Sequence, residues 1–382
     1  MKIVSIEPTP SPNSMKINLN EHLPEGVTHH FKQGDDVEQA PSHVKELLNI
    51  DGVRSLYHVM DFIALDRNAK HAWEDILPKA RYVFGSLENN DDLIETKQDK
   101  QLEENFGEVK VFIQMFRGLP MQVKLEQGDE EKRVGLPEYF MNAALEASTA
   151  STNMVMERQW MEQNPRYGDM EEIGQEVVEE LSASYDEKRL QQLVERAFKE
   201  DTGNFDTPIN PEHHITLATL DDPNWKVRYA ALDRLNPTYN DLPILEKALD
   251  DEKASIRRLA TAYLGMIEEP EVLPYLYQAL KDKSVTVRRT AGDCISDLGF
   301  PEAMPEMIAS LADPNKLVRW RAAMFLYEVG DSAALPALQE AIHDAEFEVR
   351  MQAKMALERI EGGEEAKGSV WHQMTQARKN NS

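Results

Sequence analysis

Apolar positions in the C-terminal part of the chain recur on a long period. Five segments share one layout: "DDPNWKVRYAAL", "DDEKASIRRLAT", "KDKSVTVRRTAG", "ADPNKLVRWRAA" and "HDAEFEVRMQAK". Each contains an apolar-arginine pair, and the arginines Arg228, Arg257, Arg288, Arg319 and Arg350 stand 29, 31, 31 and 31 residues apart. An aspartate precedes each by six residues: Asp222, Asp251, Asp282, Asp313 and Asp344. An alanine follows each by three: Ala231, Ala260, Ala291, Ala322 and Ala353. In four repeats a proline lies eight residues before the aspartate: Pro243, Pro274, Pro305 and Pro336.

The spacing predicts a pair of helices per unit. Proline falls in the first turn of the first helix, where a missing N–H costs nothing. Apolar residues such as Leu273, Leu276 and Leu280 recur at helical spacing. The aspartate lies in the turn before the second helix, where it can cap free N–H groups. That second helix buries the residue before arginine and those three, seven and ten after it, as in Val287, Ala291, Ile295 and Leu298. One pair cannot bury its stripe alone, but a stack can.

Upstream the pattern changes to alternation. "KIVSIE" and "SMKINL" predict strands, "PSHVKELLN" a helix, and "DGVRSLYHV" with "DFIALDR" a hairpin. "HAWEDILPKARYVFGS" predicts a closing helix, kinked or broken at Pro78. From Leu87 to Leu102 the chain is acidic and polar, as a linker or loose helix would be. "GEVKVFIQMFRGLPMQVKLE" alternates on both sides of "RGLP" and predicts a second hairpin. The segment from Pro137 through "ERQWMEQNP" predicts a long helical stretch, followed by amphipathic helices in "DMEEIGQEVVEELSASY" and "DEKRLQQLVERAFKE". The expected organisation is a small α/β domain over 1–87, an α+β middle domain over 88–205, an all-α helical solenoid over 206–363 and a tail over 364–382.

The repeat resembles HEAT repeats in a short form close to the bilin-lyase-like group, over Pro211 to Gly363. That resemblance implies a ladder in which Asp222, Arg228, Asp251, Arg257, Asp282, Arg288, Asp313, Arg319, Asp344 and Arg350 tie neighbouring units. The positions just after each arginine point away from the buried stripe: Tyr229, Arg258, Arg289, Trp320 and Met351. These are the candidate partner-binding residues, since Tyr, Trp and Arg are enriched where interfaces concentrate their energy. Trp320 has two readings, an exposed anchor or a side chain packed on a neighbouring helix.

"EPTPSPNSMK", "IDGVRSLYHVMDFIALDR" and "WEDILPKA" together resemble the N-terminal domain of NifU-type scaffold proteins, over Met1 to Ser86. In that family a separate domain with a Cys-x-x-Cys pair holds an iron–sulfur cluster. This chain has a single cysteine, Cys294, so it can form neither an internal disulfide nor a thiolate cluster site. A docking module is what remains. The "TPSPN" turn is a rigid turn serving the fold or a contact.

Composition narrows the function classes. Lys plus Arg is 42 and Asp plus Glu 68, a net charge of −26. Such a surface repels phosphate backbones and argues against nucleic-acid and anionic-membrane partners. "MKIVSIEPTP" is no secretory signal and no run approaches a membrane span, so the expected location is the cytoplasm.

Catalytic sets are not evident: no Gly-rich phosphate loop, no His-Glu-x-x-His and no Gly-x-Ser-x-Gly. His29–His30 and His213–His214 are adjacent pairs, which point in different directions and seldom share one ion. Met115, Met121, Met141, Met154, Met156 and Met161 read as core methionines rather than a metal set. Cys294 reads as a small buried residue. No catalytic, cofactor or metal residue is assigned, and no cofactor is expected.

The order of the modules, with "RGLPMQVKL", "ERQWMEQNPRYGDMEEI", the long repeat segment and "GSVWHQM", resembles the bacterial conserved virulence factor C family over nearly the whole chain. The resemblance implies a contribution to virulence and haemolysin production and supplies no catalytic residues. The expected function is a non-enzymatic adaptor with protein partners. An accessory of iron–sulfur maturation is the alternative, and a bilin-lyase-like enzyme a further one.

Overall fold

The computed structural model describes residues 1–85, 108–199 and 215–363, apart from Pro10, Pro12, Glu25, Gly26, Asp129 and Thr152. The stretch Leu87–Leu102, Pro211, His213–His214, the tail 364–382 and the two prolines of "TPSPN" lie outside the described residues. The chain falls into two compact units. The first holds Met1–Val111, Leu125–Lys132 and Gln163–Ile173; the second holds Phe112–Lys124, Arg133–Glu162 and Gly174–Ser382.

The N-terminal module is α/β. Its strands are β1 (Ile3–Pro8), β2 (Ser14–Leu19), β3 (Thr28–Lys32), β4 (Val53–Val59) and β5 (Phe62–Arg67), and its helices α1 (Ser42–Leu48) and α2 (Trp73–Val83). They form one antiparallel sheet in the order β1-β2-β5-β4-β3. Alternation sets the faces. Met15, Ile17 and Leu19 of β2 and Ile63 and Leu65 of β5 are buried and register across the strands, Met15 with Leu65 and Ile17 with Ile63. Val44, Leu47, Trp73, Ile76 and Ala80 of the two helices complete that core. The turn entering β4 needs glycine at Gly52: its φ is +92°, and a Cβ there would stand 2.5 Å from that of His71. Of the two readings at Pro78, kinked or broken, the break does not occur: α2 continues through Pro78. Proline forfeits one backbone hydrogen bond there, while buried neighbours on either side hold the segment in place.

The middle segment contributes β6 (Glu108–Phe116), β7 (Leu119–Gln127), β8 (Glu130–Gly135), α3 (Glu138–Ser148), α4 (Met154–Glu157), β9 (Gln159–Tyr167), α5 (Met170–Ser184) and α6 (Glu187–Lys199). The strands form a sheet in the order β8-β7-β6-β9. Arg117 and Gly118, at φ 48° and 79°, make the two-residue turn between β6 and β7. Arg117 is buried there; its Nε donates to Glu157 Oε2 at 2.6 Å and its Nη1 to the Ala197 carbonyl at 2.8 Å. The helical reading through "ERQWMEQNP" is corrected: α3 stops at Ser148 and residues Gln159–Tyr167 are a strand. The Ser/Thr/Asn run between them favours local side-chain bonds over helix, and Pro165 is tolerated because β9 lies at the sheet edge. None of the six methionines read as core is buried; Met141, Met156 and Met161 are exposed.

Residues 215–363 form an all-α array. Its helices are α7 (Trp225–Asp233), α8 (Leu242–Leu249), α9 (Ala254–Leu264), α10 (Leu273–Ala279), α11 (Val285–Leu298), α12 (Met304–Ser310), α13 (Lys316–Val329), α14 (Leu335–Ala341) and α15 (Phe347–Glu361). The four prolines stand in the first turns of α8, α10, α12 and α14. A continuous apolar core runs through the stack, including Ile256, Ala260, Val287, Ala291, Ile295, Ala322, Leu326, Ala353 and Ala356. Among the described residues no helix is long and apolar enough to cross a membrane.

Candidate functional site

The aspartate and arginine columns meet in a ladder. Arg257 donates from Nε and Nη2 to the Asp282 carboxylate at 2.7 and 3.0 Å. Its Nη1 donates back to the Asp251 carbonyl of its own unit at 2.8 Å. The same fork joins Arg228 to Asp251, Arg288 to Asp313 and Arg319 to Asp344, with Nε distances of 2.7, 2.8 and 2.7 Å. Asp282 also accepts the Ser284 N–H at 2.6 Å, so one carboxylate caps its own turn and receives the preceding unit's arginine. Burial raises the Asp282 carboxyl, but the Arg257 and Ser284 bonds outweigh it and hold the group below the usual carboxylate range. Bonding to Asp251 and Asp344 raises the Arg228 and Arg319 guanidinium groups. Arg350 bonds the Asp344 carbonyl at 2.8 Å.

The residues after the arginines are not the exposed row expected of them. Tyr229 is buried, edge-on to Trp225. Arg258 is clamped on Glu180 of α5, its Nη2 3.0 and 3.2 Å from the two carboxylate oxygens. Lys253 reaches Glu179 of α5 at 2.8 Å. Arg289 forms an ion pair with Asp293, and Arg321 Nε lies 2.7 Å from the same carboxylate. Trp320 is only 2% exposed and carries the Arg321 guanidinium over its ring at 5.1 Å. Met351 is half-buried. The physical reason in the early repeats is that the face is already covered: α5 lies on it through Glu179 and Glu180. The acidic, amphipathic α5 sequence was the available signal for that contact. Glu180 of α5 and Asp293, Arg321, Glu328, Gln352 and Arg359 of the array were missed, since the Asp, Arg, Ala and Pro columns do not include them.

Cys294 fits tightly against Gly265, and its Sγ lies 3.5 Å from the Thr261 carbonyl. Burial, with Asp293 and Asp297 nearby, pushes its thiol up and keeps it protonated.

The N-terminal module holds a second polar cluster. His29 and His58 face each other across β3 and β4, with ring centroids 6.0 Å apart. His43 of α1 places Nε2 3.1 Å from His58 Nδ1. His58 is fully buried and its Nε2 has no hydrogen-bond partner. His30 points to the other face and meets Tyr57 edge-on. Burial, then the neighbouring His43 and His29, lowers His58 to about 4. Among the described residues no group of three His, Cys, Asp or Glu side chains could hold a metal ion.

Comparison with known proteins matches three families to successive parts of the chain. Residues 4–90 match the family described as scaffold protein Nfu/NifU N terminal, 114–194 the family described as virulence factor, and 214–291 and 276–358 HEAT repeats. The protein YpgR of Bacillus subtilis is 58% identical over 379 residues, 99% of each chain. Conserved virulence factor C of Staphylococcus aureus strain MRSA252 is 45% identical over 278 residues, 72% of each chain. The crystal structure of protein SAV1430 from Staphylococcus aureus is 40% identical over 22% of this chain and 99% of its own, with a TM-score of 0.21.

Proposed function

The chain belongs to the conserved virulence factor C family, and on that premise we propose that it works as a non-catalytic adaptor that holds protein partners on its helical array. The observation that carries this reading is the Glu180–Arg258 clamp beside Glu179–Lys253. The second-helix face of the array already holds one amphipathic helix of the same chain, so its chemistry suits polypeptide. The ladder supports the role by keeping the units in fixed register. The adaptor acts in the cytoplasm, takes no cofactor, and affects virulence and haemolysin production indirectly.

The test is affinity purification at native expression, comparing wild type with an Arg289→Ala, Met351→Ala variant. A partner protein recovered stoichiometrically with wild type and lost from the variant is expected. Equal recovery from both, or none from wild type with or without crosslinking, counts against the adaptor. Trp320 is left intact because truncating a buried tryptophan costs about 3–5 kcal/mol and would confuse unfolding with lost binding.

A second reading draws on the Nfu/NifU match at residues 4–90. The module would contact cluster carriers without binding a cluster itself. A deletion strain should then show lowered activity of cluster enzymes, and normal activity would remove this reading.

A further inference from the structure

The array begins on an incomplete rung. Asp222, in the turn before α7, is built like the four ladder aspartates that follow it. Its Oδ1 accepts the Asn224 N–H at 2.8 Å, as Asp251 accepts that of Lys253 at 2.8 Å and Asp313 that of Asn315 at 2.7 Å. Its backbone carbonyl receives Arg228 Nη1, as the Asp251 carbonyl receives Arg257 Nη1. Asp251, Asp282, Asp313 and Asp344 each also hold the guanidinium of an arginine one unit earlier. Asp222 is half-buried, and among the described residues no arginine or lysine reaches its carboxylate. Apolar positions report the same gap. The residue before the ladder arginine is 0% or 1% exposed at Ile256, Val287, Val318 and Val349, but 43% exposed at Val227 of α7. Leu217, in the short helical turn Leu217–Asp221 that opens this unit, is 47% exposed. A stack that ends in water needs a polar outer face on its terminal unit. This unit instead offers an acid prepared for a guanidinium and two apolar side chains.

We propose that this open first rung is a docking site for a protein partner, which seats an arginine from one of its helices on Asp222 and apolar side chains on Val227 and Leu217. The four closed rungs show what such a partner must bring. In each, the incoming arginine lies on a helix, directly after an apolar residue: Val227, Ile256, Val287 or Val318. A planar guanidinium meets both oxygens of a carboxylate, which an ammonium cannot do, so arginine rather than lysine is the anchor. The docking continues the ladder interface by one step. Other occupants lack the anchor. Residues 200–214, which lead into the array, contain no arginine or lysine. A second copy offers no ladder arginine: Arg228, Arg257, Arg288 and Arg319 hold carboxylates of their own chain, and Arg350 bonds the Asp344 and Ala345 carbonyls. The proposal rests on the adaptor reading for the premise that the chain holds protein partners, and it names the chemistry of one at a place other than Arg289 and Met351.

The experiment places a photo-crosslinking p-benzoylphenylalanine at position 227 of the full chain at native expression and maps the joined peptides after irradiation of living cells. The expected product joins a helix of another protein, with an arginine within about two turns of the attachment point. Asp222→Asn should lower its yield at least ~10-fold. Asp222→Arg should abolish it, and changing the mapped arginine of the partner to aspartate should restore it. Products joined to this chain itself or to a second copy, no product, or a yield indifferent to Asp222→Asn each overturn the proposal. The urea midpoint of Asp222→Asn should equal that of wild type, because asparagine still accepts the Asn224 N–H and no arginine is stranded. A lowered midpoint would mean that the chain already fills the rung, and overturns the docking as well. A partner that depends on Arg289 and Met351, with no product at position 227, would end this proposal and leave the adaptor standing.

Discussion

The N-terminal sheet module and the helical array bury polar groups in opposite ways. The module buries an imidazole, His58, with one nitrogen against His43 and the other without a partner. It does so by keeping the group neutral. The array buries full charges, with Arg257 5% and Asp282 11% exposed. It does so by satisfying them: four hydrogen bonds leave Arg257 for carboxylate and carbonyl oxygens, and Asp282 accepts a backbone N–H besides. A neutral group is cheap to bury and remains sensitive to protons. A paired charge is costly to bury, insensitive to protons near neutrality, and severe to break.

The largest effect should come from breaking one rung. Arg257→Met leaves Asp282 as a buried carboxylate without its guanidinium, and should cost about 3–5 kcal/mol in urea denaturation. Adding Asp282→Asn keeps a cap for Ser284 while removing the stranded charge, and should recover more than half of that loss. A single-variant cost below about 1 kcal/mol would mean that the ladder is ornament on an array held by its apolar core.

The module should instead respond to acid. Its imidazole cluster faces His29 from β3 and His43 and Glu46 from α1, with the N-terminal ammonium also acting on His43. Opposite His58, β5 presents Ile63, and Phe84 after α2 lies against His43. Burial, then His29, lowers His43 as well, with Glu46 opposing. The unfolded chain protonates His58 below about 6.5, while the folded module holds off until about 4. Stability is therefore fully present above 6.5 and falls as the pH drops toward 4, by about 2 kcal/mol after allowance for solvent screening. Hydrogen exchange in α1 and β4 should show the loss, and a His58→Phe variant should flatten it. Equal acid sensitivity of α9 and α1 would erase the contrast between the two regions.

Much of this contrast was open to a reader of the sequence. The ladder was, because each unit repeats the same solution and the period exposes it: Asp251, Asp282, Asp313 and Asp344 stand at steps of 31. The sheet was, because alternation in "SMKINL" maps directly on Met15, Ile17 and Leu19 turned inward. What covers a face was not. Glu180 meets Arg258 from 78 residues away, and no local pattern announces such a meeting. The His29–His58 pair was hidden for a like reason, since it depends on the register of β3 against β4. The strand β9 was misread because its residues show no clean alternation: it is an edge with most side chains exposed.

The smallest effect tests how helices begin in the two regions. In the module, α1 and α2 start at Pro41 and Ala72 with no side-chain cap. In the array each second helix starts in the turn made by the ladder aspartate, and two add an asparagine cap. Asn315 accepts the Leu317 N–H at 2.9 Å, and Asn224 does the same for Lys226 at 3.1 Å. Ser284, at the corresponding position before α11, makes no such bond. Asn315→Ala should therefore cost about 1 kcal/mol in urea denaturation, and Ser284→Ala clearly less. Equal costs would show that the aspartate turn alone starts these helices, and that the asparagine adds nothing to the order the ladder already imposes.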